Sequence, residues 1–201
     1  MYTIKNSKKV QENKEEKNNK ILASALKLFT EKGVKDTSVQ EITTEAGVAK
    51  GTFYLYFKDK YELQDYLITR KSQQLFNEAL KALYKENITD YKEKIIFVID
   101  YIINKLNRHK LLLKFISKNL SFALYSDHIS KIISEDTLGI QELFIQEIKQ
   151  SNIKISHPDL KLYMIIELVS GIVFNSILYK KPLPINALKP YLYEEIKLML
   201  N

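Results

Sequence analysis

Residues 37–57, TSVQEITTEAGVAKGTFYLYF, hold two short stretches of helical periodicity separated by a glycine. In the first, Val39, Ile42 and Ala46 recur at three- and four-residue spacing, which places them on one helix face. Asp36, Thr37 and Ser38 stand ahead of it as N-caps, and either Thr37 with Gln40 or Ser38 with Glu41 has capping-box spacing. Gly47 supplies the tight turn that ends it. The second stretch runs from about Ala49 to Tyr56. Here Ala49, Phe53 and Phe57 fall towards one side, while Lys50, Gly51, Tyr54 and Leu55 fall on the other. Two short amphipathic helices about a tight turn form a helix-turn-helix, with one face to pack and the other to meet DNA.

The side-chain chemistry of the second helix suits that partner. Gly51 costs a helix roughly 1 kcal/mol relative to Ala, so its place there implies close approach to the backbone by another molecule. Lys50 can reach a phosphate or the guanine acceptors, Thr52 either kind of group, and Tyr54 and Tyr56 the phosphate oxygens. Lys60 adds charge at the start of the next helix, beside N–H groups that favour anions. Thr37 and Ser38 have hydroxyls that serve a cap or a phosphate.

Outward from this segment the pattern stays helical. Ile21, Leu22, Ala25, Leu28 and Phe29 mark a first helix that stops at Gly33, a residue suited to a left-handed C′ position. A long fourth helix begins near Lys58 and carries Leu63, Leu67, Leu75, Leu80 and Leu83. Further helices are expected from about Tyr91 to Leu106, Lys110 to Leu120, Ser130 to Lys149, Asp159 to Tyr179 and Asn186 to Leu200. With five glycines and four prolines in 201 residues, the fold class is all-α.

Composition narrows the function. The absence of cysteine removes disulfides, thiol nucleophiles and thiolate metal sites, and fits a reducing cytoplasm. The first 20 residues lack the apolar core of a secretory signal, so a cytoplasmic location is expected. The net charge of +7 favours an anionic partner, although it is diffuse: residues 1–60 hold 12 basic against 8 acidic side chains, a surplus of +4. His109, His128 and His157 are too far apart to suggest a shared metal site, and no catalytic constellation or phosphate-binding glycine loop is present. No cofactor, no metal and no enzymatic activity are expected.

The run from Ile21 to Leu63 resembles the DNA-binding domain of TetR/AcrR transcriptional regulators. The resemblance lies in Ala25 with Phe29, Gly33, Thr37-Ser38, Ile42, Ala46-Gly47-Val48, Lys50-Gly51-Thr52-Phe53-Tyr54 and Tyr56-Phe57-Lys58-Asp59-Lys60. It implies that Lys50, Gly51, Thr52 and Tyr54 belong to the recognition helix, that Thr37, Ser38, Tyr56 and Lys60 touch phosphates, and that Phe53 and Phe57 are core. Ala49 stands where Ser is common, which removes one hydroxyl contact. The implied organisation is a polar extension over residues 1–17, a DNA-binding domain over 18–63 and a helical ligand-sensing and dimerisation domain over 64–201. The extension is either a basic arm on phosphates or a solvated leader.

Residues 160–179, LKLYMIIELVSGIVFNSILY, are apolar nearly all round. The length suits a membrane span, but Glu167 and Asn175 lie inside it, and a central carboxylate costs roughly 3 kcal/mol in lipid. Burial by its own core on one face and a second subunit on the other accounts for it better, with Gly171 allowing close approach. By the resemblance, the last two helices pair with their copies, and Met164, Leu168, Gly171, Ile172, Asn175, Leu192 and Ile196 are the candidate interface. Phe97, Tyr101, Phe115, Phe122, Tyr125 and Phe144 are candidates to line a pocket for a small apolar or aromatic effector. The expected function is a dimeric, effector-released repressor on a pseudopalindromic operator in double-stranded DNA. A DNA-binding regulator without a small ligand, and a helical-bundle lipid carrier or enzyme, are the alternatives.

Overall fold

The computed structural model describes residues 2–116, 140–151 and 155–201, with the side chains of all but residues 2–11 and 140–143. Nine helices occur among the described residues: α1 Tyr2–Lys32, α2 Val39–Glu45, α3 Lys50–Tyr54, α4 Lys60–Leu83, α5 Tyr91–Arg108, α6 Lys110–Ile116, α7 Ile140–Gln150, α8 Pro158–Tyr179 and α9 Ile185–Met199. The chain divides into two compact units, one ending at Leu67 and the other spanning Ile68–Asn201. The division falls within α4.

In the first unit, α1, α2 and α3 pack on one another. Ile21, Ala25, Ile42, Phe53 and Leu63 are fully buried, and each of the larger side chains, the alanine aside, contributes about 1.5–3 kcal/mol. Gly33 closes α1 with φ +90° and Gly47 makes the α2–α3 turn with φ +64°, both left-handed positions that a side chain would strain. The backbone of α1 is helical from Tyr2, through the polar stretch that precedes Ile21. Nothing in residues 2–20 breaks a helix: they contain no Pro or Gly and several Lys, Glu and Gln, which are good helix formers.

The second unit is built from the remaining helices, with α8 packed against α6, α7 and α9, and α9 also against α5. The α5–α9 seam carries a polar network. Lys189 Nζ donates to Asp100 Oδ1 and to Asn104 Oδ1, both at 2.6 Å, and Asn104 Nδ2 donates to Asp100 Oδ2 at 2.8 Å. The Tyr193 hydroxyl donates to the same Asp100 oxygen. Burial acts to raise Asp100, but these hydrogen bonds outweigh it and hold the carboxyl below its ordinary value. Burial, with Asp100 as acceptor, pushes the Tyr193 hydroxyl far up. Pro190 lies inside α9, whose N-cap is Pro184.

Helix α8 is not enclosed on every side within the chain. Leu162, Ile165, Val173 and Ile177 are buried, while Leu160, Tyr163, Met164 and Tyr179 are exposed by 41–61%. It is long and apolar enough to cross a membrane by length and composition, yet one of its faces is part of the second unit's core.

Candidate nucleic-acid interface and apolar cavity

The recognition helix is set by its neighbours. Of the two capping boxes legible in the sequence, the one formed is Ser38 with Glu41. Glu41 N donates to Ser38 Oγ at 3.2 Å, and Ser38 N donates to Glu41 Oε2 at 2.8 Å. Lys32 at the end of α1 pairs with the same carboxylate. The Lys32 ammonium, reinforced by the backbone and hydroxyl of Ser38, lowers Glu41 to about 2. Lys27 pairs with Glu45 at 2.7 Å, so α1 grips α2 at two points along its length. The turn then closes as Val48 N donates to the Thr43 carbonyl at 3.0 Å.

From this base, α3 is anchored by aromatics. Phe53 is fully buried, lies 5.9 Å from Phe57, and Phe57 meets Tyr66 edge-on at 5.5 Å. The opposite side is open: Lys50 and Gly51 are exposed, Tyr54 is 53% and Leu55 79% exposed. No atom outside the immediate backbone lies within 4 Å of where a Gly51 Cβ would sit, so no packing within the chain requires a glycine there. Thr52 is half-buried at the flank. Ala49, expected on the packed side, is exposed at the α3 N-cap, because its extended backbone (φ −67°, ψ 145°) takes it out of the helical register.

Three residues expected on phosphate hydrogen-bond within the chain. Thr37 is 1% exposed and its hydroxyl donates to the Gly33 carbonyl at 2.7 Å, so it holds the α1–α2 loop from inside. Lys60 Nζ donates to the carbonyls of Lys35 and Thr37. The N–H groups at the start of α4, expected to attract an anion, are met by Asp59, which accepts from Tyr61 N at 2.8 Å and Glu62 N at 2.9 Å. Tyr56 is half-buried and its hydroxyl donates to the Lys14 carbonyl at 2.9 Å, tying α3 to α1. Ser38 stays exposed at its cap. Nothing in sequence separations of 23, 25 and 42 residues announces these tethers.

The second unit encloses a cavity of about 190 Å³ between α4, α5, α6, α7 and α8. Its wall is almost wholly apolar, with Leu75, Val98, Ile102 and Ile165 among the lining residues, and with Lys94 and Glu147 paired at 2.8 Å. Of the expected pocket residues, Phe144 lines it. Phe97 and Tyr101 lie half-buried on other parts of α5, Phe115 is buried in packing, and none of the three lines the cavity. Phe122 and Tyr125 fall outside the described residues. On α5 the lining is the aliphatic stripe Ile95, Val98, Ile99, Ile102 and Leu106, which recurs in the sequence at helical spacing.

The expected dimer residues also separate. Met164, Gly171 and Asn175 are exposed and Leu168 and Ile172 half-buried on α8, whereas Leu192 and Ile196 are 2% and 0% exposed in the chain's own core. The large apolar residues of α9 left open are Tyr191 and Leu198. Among the described residues, no group of three or more His, Cys, Asp or Glu could hold a metal ion.

A three-helix unit whose short, aromatic-anchored third helix exposes one face after a glycine turn is a helix-turn-helix DNA-binding domain. Residues 21–67 match the family model "Bacterial regulatory proteins, tetR family". The uncharacterised HTH-type regulator YhgD of Bacillus subtilis is 27% identical over 157 residues, 77% of this chain and 81% of that protein. YuxN of the same organism is 33% identical over 105 residues, a match that covers only 36% of its length. Among solved structures, a TetR-family regulator from Syntrophomonas wolfei has a TM-score of 0.65 at 22% identity, covering 94% of this chain and 97% of that one. FadR of Bacillus subtilis, solved with stearoyl-CoA, has a TM-score of 0.61 at 22% identity, with 89% and 97% covered. Residues 21–67 thus form a helix-turn-helix DNA-binding domain of the tetR family of bacterial regulatory proteins.

Proposed function

We propose that this regulator is a repressor that binds a pseudopalindromic operator as a dimer and is released by a small apolar effector. The observation that carries the DNA reading is the open face of α3, Lys50, Gly51, Tyr54 and Leu55, backed by the buried Phe53. Lys50 meets a phosphate or guanine, Gly51 lets the backbone approach, and Tyr54 and Ser38 supply hydroxyls to phosphate. A dimer places two such helices in successive major grooves about 34–36 Å apart. The exposed α8 face of Tyr163, Met164, Gly171 and Tyr179 supports self-association, and Gly171 leaves room for close helix contact.

Residues 18–63 serve as the DNA-binding domain and 64–201 as the sensing and dimerisation domain. The apolar cavity supports an effector with a hydrocarbon body. Because FadR of similar fold was solved with stearoyl-CoA, fatty acyl groups are the first class to test. Binding to the DNA flanking the protein's own gene, with salt titration and the mass of the complex, tests the reading. Saturable binding by a dimer, steeply weakened by salt and relieved by an acyl compound, supports it. Sequence-independent binding alone overturns it.

A further inference from the structure

The outermost line of the recognition helix has no hydrogen-bonding side chain. Helical hydrogen bonds continue past Tyr54, with Leu55 N, Tyr56 N and Phe57 N donating to Thr52 and Phe53 carbonyls, so helical geometry holds through this turn. At about 100° per residue, Phe53 and Phe57 point into the core while Leu55 points directly away, with Gly51 one turn before it. Tyr54 on one side, and Thr52 with Tyr56 on the other, flank that line. Leu55 is 79% exposed, more than any other large apolar residue described.

We propose that Leu55 is a specificity-determining residue that packs against the C5-methyl group of a thymine in each half-site. The inference rests on the DNA-binding reading above. In the major groove a thymine is distinguished by its O4 acceptor and its methyl, and only the methyl rewards an apolar side chain. Apart from Lys50, residues 49–57 contain none of the side chains, Arg, Lys, Asn and Gln, that read guanine and adenine through paired hydrogen bonds. The absent side chain at Gly51 lets the helix sink towards the groove floor, where Leu55 is the first side chain to arrive. Discrimination by this helix therefore combines a thymine methyl with whatever Lys50 and Thr52 read at the margins.

The test starts from the full chain. Random-sequence selection yields its preferred DNA, and each thymine in that site is then replaced in turn by deoxyuridine, which removes only the methyl. Affinity is measured for the wild type, Leu55→Ala and Leu55→Met, with circular dichroism as the check on folding. One thymine per half-site is expected where methyl removal weakens the wild type about fourfold, the worth of one buried methyl-sized group. Leu55→Met is expected to keep that sensitivity and Leu55→Ala to lose it. Equal sensitivity in Leu55→Ala, or no sensitive thymine in a well-selected site, overturns the assignment of Leu55. Failure to select any DNA sequence overturns the DNA-binding reading itself, which distinguishes the two failures.

Discussion

The ammonium group of Lys60, the first residue of α4, donates to the backbone carbonyl of Thr37, 23 residues earlier, at 2.8 Å. A second bond, to the Lys35 carbonyl at 2.9 Å, makes Lys60 a brace across the loop that leads into α2. Lys60→Met is therefore expected to destabilise the first unit by about 1–2 kcal/mol, the range for hydrogen bonds to a part-exposed charged group, seen as a lower urea midpoint. DNA affinity falls with it, but the slope of log affinity against log salt stays the same. A slope smaller by about 1 per lysine would mean a phosphate contact instead.

Glu41 links the N-cap of α2 to Lys32, and its carboxyl is lowered from 4.5 to about 2. A depressed acid contributes stability that is present above its unfolded value and lost as pH falls through its folded value. Unfolding midpoints of the wild type should thus decline between pH 4.5 and about 2. In Glu41→Gln that component of the decline is absent, and a comparison of the two pH profiles by circular dichroism checks it.

Ile102 lines the apolar cavity from α5. With about 190 Å³ to fill, Ile102→Trp is accommodated at the expense of ligand space. The expected result is loss of binding of a fluorescent fatty-acid analogue while operator binding persists. Retained analogue binding would place the effector elsewhere.

Met164 and Leu192 were expected at the same interface, and the structure separates their roles. Met164 is 48% exposed on α8 and Leu192 is 2% exposed in the core. Met164→Glu should yield a folded monomer by light scattering at concentrations where the wild type is dimeric. Leu192→Ala should cost about 2–5 kcal/mol of stability as a core truncation, without a selective effect on association.

Much of the DNA-binding unit was legible because its determinants are local. A glycine at φ +64°, a cap three residues from its donor and two phenylalanines four residues apart are all short-range features. The cavity was less legible. Phe97, Tyr101 and the aliphatic stripe of α5 are alike in polarity, and only the neighbouring helices determine which stripe borders the empty space. The exposed α8 face was legible as apolarity, yet not as a face, since α8 is apolar nearly all round.

What the amino-acid sequence determined by itself is the set of helices, the glycine turn and the side of α3 that packs, because periodicity, capping and left-handed glycines act within a few residues of chain. What only the tertiary structure decided is the use of each polar group. In the sequence Thr37 offers a cap or a phosphate contact, and in the structure its hydroxyl donates to the Gly33 carbonyl at 2.7 Å. Lys60 reads in the sequence as charge for a phosphate, and in the structure its ammonium donates to two carbonyls of a distant loop. A flexible charged or hydroxyl side chain takes whichever partner the folded chain brings near, and that proximity is not a local property of the sequence.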